Sequence, residues 1–136
     1  FVEGPYGAFR VDRRKTDRLV LIGAGVGITP IRALLDEVPD HVETDVVYRA
    51  RTAPAPIADE LERIARASNG RIRVHVLVGS REQLPMDARS LAALVPRIRR
   101  SDVYACGPVG FLDEVRTSSQ ALGIPADRIH DELFEF

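Results

Sequence analysis

Apolar positions fall into two patterns that alternate along the chain. Residues 19–22 (Leu-Val-Leu-Ile), 44–48 (Thr-Asp-Val-Val-Tyr), 72–78, 102–106 and 128–133 are short, β-branched or continuous runs of strand length. The first is apolar on both sides, as a central parallel strand covered by helices requires. Between these runs the apolar spacing is helical. Residues 31–38 form a predicted helix stopped before Pro39. Residues 57–68 place Ile57, Leu61, Ile64 and Ala65 on one face, and Asn69-Gly70 ends them. A short helix around residues 91–95 starts from Asp87 or Ser90. Residues 109–122 turn Phe111, Leu112 and Val115 inward and close at Gly123. The alternation predicts an α/β fold: a three-layer, doubly wound, Rossmann-like parallel sheet of five strands in the order 3-2-1-4-5. Ligands of such folds sit beyond the C-terminal strand ends where the order reverses, here between the first and fourth strands.

The loop at that position carries chemistry. Gly23, Gly25 and Gly27 follow the first strand, and Ile28-Thr29-Pro30 leads into the helix. Glycines let the backbone turn sharply and lie close to a ligand. Thr29 is expected to N-cap the helix, with Pro30 in its first turn. The helix N-terminus then favours an anion such as a pyrophosphate. The third glycine of the generic dinucleotide fingerprint is replaced by Ile28, so this loop is of another kind. A tight β–α turn without a ligand is the alternative. A second glycine turn, Cys106-Gly107-Pro108, ends the fourth strand and is expected to face the first across the crevice.

Composition narrows the field. The 136 residues are the size of one domain, with 45% hydrophobic and 29% charged residues. A net charge of −1 gives no nucleic-acid surface, and no apolar run approaches the ~20 residues that span a bilayer. The lone Cys106 excludes an internal disulfide or CxxC site, and fits a cytoplasmic setting. His41, His75 and His130 lack metal-ligand spacing, so no metal site is expected. Residues 1–17, beginning without Met, read as the tail of a preceding domain and a connector; residues 18–136 read as the domain itself.

Taken together, the Gly25-Val-Gly-Ile-Thr-Pro30 loop, the Cys106-Gly107-Pro108 turn and a chain ending on an aromatic resemble the nicotinamide-nucleotide domain of the ferredoxin–NADP reductase superfamily. Gly4-Pro5-Tyr6-Gly7 is similar to the segment that closes that family's flavin-binding barrel. The resemblance covers essentially the whole chain. It implies that Gly25, Val26, Gly27, Ile28, Thr29 and Pro30 pass the cofactor pyrophosphate and nicotinamide ribose. It implies that Cys106, Gly107 and Pro108 lie beside the nicotinamide, that Phe136 lies against the flavin ring, and that Glu132 is the acid nearest the reaction centre. Phe111, just after the turn, is either a cleft residue or a core residue. Cys106 is not expected to act as a nucleophile, because no His lies near it in sequence.

The second strand ends Tyr48-Arg49-Ala50-Arg51, without the acid that binds a ribose 2′-hydroxyl in NAD-specific folds. Gly79-Ser80-Arg81-Glu82 is similar to the Ser-Arg pair that grips the 2′-phosphate in NADP-specific members. Arg49, Arg51, Ser80 and Arg81 are therefore expected to bind cofactor and to favour NADPH over NADH, Arg81 by charge-assisted contacts. Solvated loop charges are the alternative reading of these arginines. FAD is expected through an upstream domain. The ending, from Asp127 to Phe134, looks like ferric-reductase or NADPH-oxidase-type proteins, implying a haem-bearing membrane domain and a position on the cytoplasmic face of a membrane. A soluble reductase serving a ferredoxin, globin or oxygenase is the alternative, and a non-catalytic nucleotide-sensing module is a third reading.

Overall fold

A computed structural model of the protein describes residues 9–52 and 56–134. Five parallel strands form one sheet: β1 (Arg18–Ala24), β2 (Glu43–Ala50), β3 (Ile72–Val78), β4 (Asp102–Gly107) and β5 (Ile129–Leu133). Their order is β3-β2-β1-β4-β5, as expected. Among the described residues four α-helices cover the faces: α1 (Ile28–Leu35), α2 (Pro56–Ala67), α3 (Ala88–Leu94) and α4 (Val109–Ala121).

The period-2 alternation of each strand divides the core in two. On one face Leu19, Leu21, Val46, Tyr48, Tyr104 and Cys106 pack with Ile31, Leu34 and Leu35 of α1 and with Leu61 of α2. On the other, Val20, Ile22, Val47, Val103 and Ala105 pack with Leu91 of α3 and with Phe111, Leu112 and Val115 of α4. Leu19, Ile22, Ile31 and Leu61 are all fully buried, and each such side chain contributes ~1.5–3 kcal/mol of transfer free energy.

One local expectation is corrected. Thr29 does not cap α1: the helix starts earlier, at Ile28, with Gly27 in the N-cap position and no side-chain cap bond. The reason is the tight turn of Gly25–Gly27, which is already helical in sense and ends with the Ile28 N–H donating to the carbonyls of Gly25 and Val26. Gly25 has φ +57, the left-handed region. Pro30 does sit in the first turn, where its missing N–H costs nothing. Asp87 caps α3 by accepting from the Ser90 N–H at 2.8 Å, one of the two expected starts.

Two of the three histidines pair with buried carboxylates. His75 lies 3.1 Å from Asp45, and His130 lies 2.9 Å from Asp102. Among the described residues no helix is long and apolar enough to cross a membrane.

Candidate functional site

The sheet order places the C-terminal ends of β1 and β4 side by side, with Gly23 and Cys106 in register. The two glycine turns meet there. A Cβ on Gly27 would stand 2.1 Å from the Cys106 carbonyl oxygen and 3.0 Å from the Gly107 Cα, so only glycine lets the start of α1 rest on the end of β4.

Beyond this junction opens a cleft of about 820 Å3. Its walls come from the ends of β1 and β2 and the loops after them, the loop after β3, and the first turns of α1 and α4. Of the residues singled out from sequence, Gly25, Val26, Ile28, Thr29, Arg49, Arg51, Arg81, Pro108 and Phe111 line it. Gly27, Cys106 and Gly107 are buried and do not line it. Pro30 is half-buried in α1. Ser80 lies in a local turn, where its N–H donates to Gln83 Oε1 at 2.8 Å and its hydroxyl accepts from the Gln83 N–H at 3.2 Å. Glu132 pairs with Cys106 across the β4–β5 ladder. Phe136 and the Gly4–Gly7 turn lie outside the described residues.

Three arginines and, among the described residues, no carboxylate line the cleft. Arg49 is held most firmly. Its side chain is 10% exposed, and its guanidinium donates to the Leu84 carbonyl at 3.0 Å and lies 5.3 Å from the centre of the Phe111 ring. Glu114 Oε1, 3.9 Å away, is its nearest counter-charge. Burial lowers the Arg49 pKa, partly offset by Glu114, with Arg81 and Arg51 adding to the lowering. A guanidinium stays charged through such shifts. Phe111 is thus both core and cleft: it is 2% exposed, fills the space a Cβ on Gly107 would occupy, and supports Arg49. Arg81, exposed, reaches across to α4, where its Nη1 would be 2.8 Å from a Cβ on Gly110.

Cys106 is fully buried, and its thiol is pushed up to about 12 by burial, with the charge of Glu132 adding to it. It stays protonated at neutral pH and has no nucleophilic character. Glu132 is itself raised by burial.

Sequence reading missed Tyr48, Ile57 and Gly110 in the cleft wall and Glu114 behind it. Two signals were present. Gly110 is a glycine in the first turn of a helix, costing about 1 kcal/mol against alanine unless a neighbour needs the space. Glu114 follows Phe111 at a helical spacing of three, which puts both on one face.

Known proteins match this architecture. The oxidoreductase NAD-binding domain family matches residues 21–117. The flavohemoprotein of Chromobacterium violaceum is 29% identical over 98% of this chain and 36% of its own length. The ferredoxin reductase component of the 3-ketosteroid-9-alpha-monooxygenase of Rhodococcus rhodochrous is 33% identical over 96% of this chain and 37% of its own. The crystal structure of the flavohem-like FAD/NAD binding domain of nitric oxide dioxygenase from Vibrio cholerae superposes with a TM-score of 0.72 at 28% identity, covering 98% of this chain and 53% of that one. The chain spans about a third of the length of the curated relatives it matches. On its fold, its paired glycine turns and these matches, the chain belongs to the oxidoreductase NAD-binding domain family, the nucleotide-binding half of the ferredoxin–NADP reductase superfamily.

Proposed function

We propose that this domain binds NADPH in preference to NADH and presents it to a flavin carried by an upstream domain of the same protein. The observation that carries this reading is the charge of the cleft: Arg49, Arg51 and Arg81 line it and no described carboxylate does. A dinucleotide brings two phosphate charges, and a 2′-phosphate brings more. Three guanidiniums exceed what a pyrophosphate needs, and they offer a ribose 2′-hydroxyl no acidic acceptor.

The residues divide the work. The first turn of α1, from Ile28, brings backbone N–H groups and a positive dipole end to the pyrophosphate. Gly27 lets that turn sit against Cys106, so the ligand lies close to backbone rather than to a side chain. Arg81 and Ser80 take the 2′-phosphate; the Ser80 hydroxyl accepts from Gln83 and keeps its own proton to donate. Arg49, clamped by Phe111 and Leu84, supplies a preorganised second cation. Cys106, Gly107 and Pro108 bound the nicotinamide end, and Phe136 shields the flavin face. Hydride transfer from nicotinamide to flavin is supplied by the cofactors, and the protein contributes position and electrostatics. Glu132 is the acid set nearest that end.

For the acceptor, the likeness to a flavohemoprotein and to the ferredoxin reductase component of a monooxygenase supports a haem or a ferredoxin–monooxygenase system; the ferric-reductase-like stretch from Asp127 to Phe134 supports ferric iron or a membrane haem as a second reading. The full-length protein with FAD is expected to oxidise NADPH, and Phe136→Ala or Cys106→Ala to slow it. Unchanged rates in both variants would refute these site roles.

A further inference from the structure

At the far end of the sheet from the cleft stands a buried carboxylate whose donors come from the connector and from β5. Asp102, the first residue of β4, is 0% exposed. It accepts from the Lys15 N–H at 3.0 Å, the Thr16 N–H at 2.8 Å, the Thr16 hydroxyl at 2.7 Å and His130 Nε2 at 2.9 Å. Burial alone would raise its pKa, yet these bonds, His130 and Thr16 foremost, hold it below the ordinary carboxylate range. His130 in turn stacks on Tyr104, with ring centres 4.2 Å apart and an interplanar angle of 15°. The Tyr104 hydroxyl donates to the Arg10 carbonyl at 2.6 Å, and Phe9 meets the Tyr104 ring edge-on at 5.6 Å. Val11 is buried in the same core.

Residues 9–16 are therefore docked at both ends of their length. The docking engages one face of β4. Asp102, Tyr104 and Cys106 are successive same-face residues of β4, opposite His130 and Glu132 of β5. Thr16 is fixed at Asp102, and Arg10 and Phe9 at Tyr104. The connector is thus held at two successive same-face side chains of β4, Asp102 and Tyr104, at the end of the sheet away from the cleft.

We propose that Asp102 is a positioning residue for hydride transfer, clasping the connector so that the flavin-bearing domain before it meets the nicotinamide end at a fixed angle. The inference rests on the reading that an upstream flavin domain exists. Its physical basis is the geometric demand of the reaction: reacting atoms must stand about 3–3.5 Å apart and aligned, and a misplacement of about 1 Å costs on the order of a hundredfold. A free tether of this length would leave that alignment to the domain interface alone; a clasped one removes most of its freedom.

The test uses the full-length, flavin-loaded protein with Asp102→Ala and with the milder Thr16→Val, which removes one hydroxyl donor and keeps the branched shape. Expected are an unchanged dissociation constant for NADP+, flavin reduction by NADPH slowed at least tenfold in rapid mixing for Asp102→Ala and less for Thr16→Val, a weakened flavin–nicotinamide charge-transfer absorbance, and faster tryptic cleavage after Arg13 or Lys15. Flavin reduction at the parental rate with a trypsin-labile connector would overturn the proposal. So would a parallel loss of NADP+ affinity, which would mean that Asp102 only supports the fold. If Asp102→Ala does not fold, Thr16→Val decides by the same readouts. Failure of the parental protein itself to reduce its flavin would instead overturn the underlying flavin-domain reading.

Discussion

The carbonyl oxygen of Cys106 stands 2.1 Å from where a Cβ of residue 27 would be, so the glycine loop after β1 and the turn after β4 form one surface. Gly27→Ala cannot be accommodated by a flexible side chain, because the obstacle is backbone. Overpacking of this kind costs roughly 1–3 kcal/mol. The variant is expected to melt several degrees lower and to bind NADP+ more weakly, since the glycine turn before α1 is pushed off the end of β4. Thermal unfolding and nucleotide titration check this; an unchanged melting temperature would show that the two turns do not bear on each other.

Arg49 is expected to act through its fixed plane as well as its charge. Arg49→Ala should weaken NADP+ binding by about ten- to a hundredfold, the range of a lost charge-assisted bond of roughly 1.5–3 kcal/mol. Arg49→Lys should recover only part of that, because an ammonium cannot reproduce the guanidinium's planar contact with Phe111 while donating to Leu84. Full recovery by lysine would reduce Arg49 to a point charge.

Cys106 should be inert. With its thiol buried and pushed up to about 12, alkylation by iodoacetamide at pH 8 is expected to be much slower in the folded protein than in denaturant. Labelling at equal rates would contradict its burial.

Acid should loosen the domain at the N-terminal end of the sheet, on both sides of β1. Burial pushes Asp45 and Asp102 upward, but bonds from His75 and Arg73, and from His130, Thr16 and Lys15, outweigh it, leaving both pKa values lowered. A carboxylate depressed on folding adds stability that is present above its unfolded pKa of about 4 and is lost as the pH falls through the depressed folded value. Melting temperature should therefore drop as the pH is lowered from about 5 toward 3, and Asp102→Asn should flatten part of that slope. An identical slope in the variant would remove Asp102 from the account.

The alternation of strands and helices and both glycine turns were legible because they rest on local signals: apolar runs of strand length, glycine pairs, and helix stops at Gly70 and Gly123; the first helix instead ends at Leu35, short of the stop expected before Pro39. Thr29 misled because its sequence position fits a cap, while the turn Gly25–Gly27 before it brings Gly27 into helical conformation and starts α1 at Ile28. Arg49 looked like one loop charge among many; its burial depends on Phe111 and Leu84, far off in sequence. The Asp102 clasp was illegible for the same reason, its partners being separated by 86 and 28 residues. Such contacts are fixed by topology, and periodicity carries no trace of them.

The central claim is that the arginine-lined cleft selects a 2′-phosphorylated dinucleotide. Calorimetric titration of the full-length protein with NADP+ and NAD+, repeated on Ser80→Asp/Arg81→Ala, tests it most directly. The account predicts that NADP+ binds at least about tenfold more tightly than NAD+, and that the double variant loses affinity for NADP+ far more than for NAD+. Equal affinities in the parental protein, or equal losses in the variant, would contradict it.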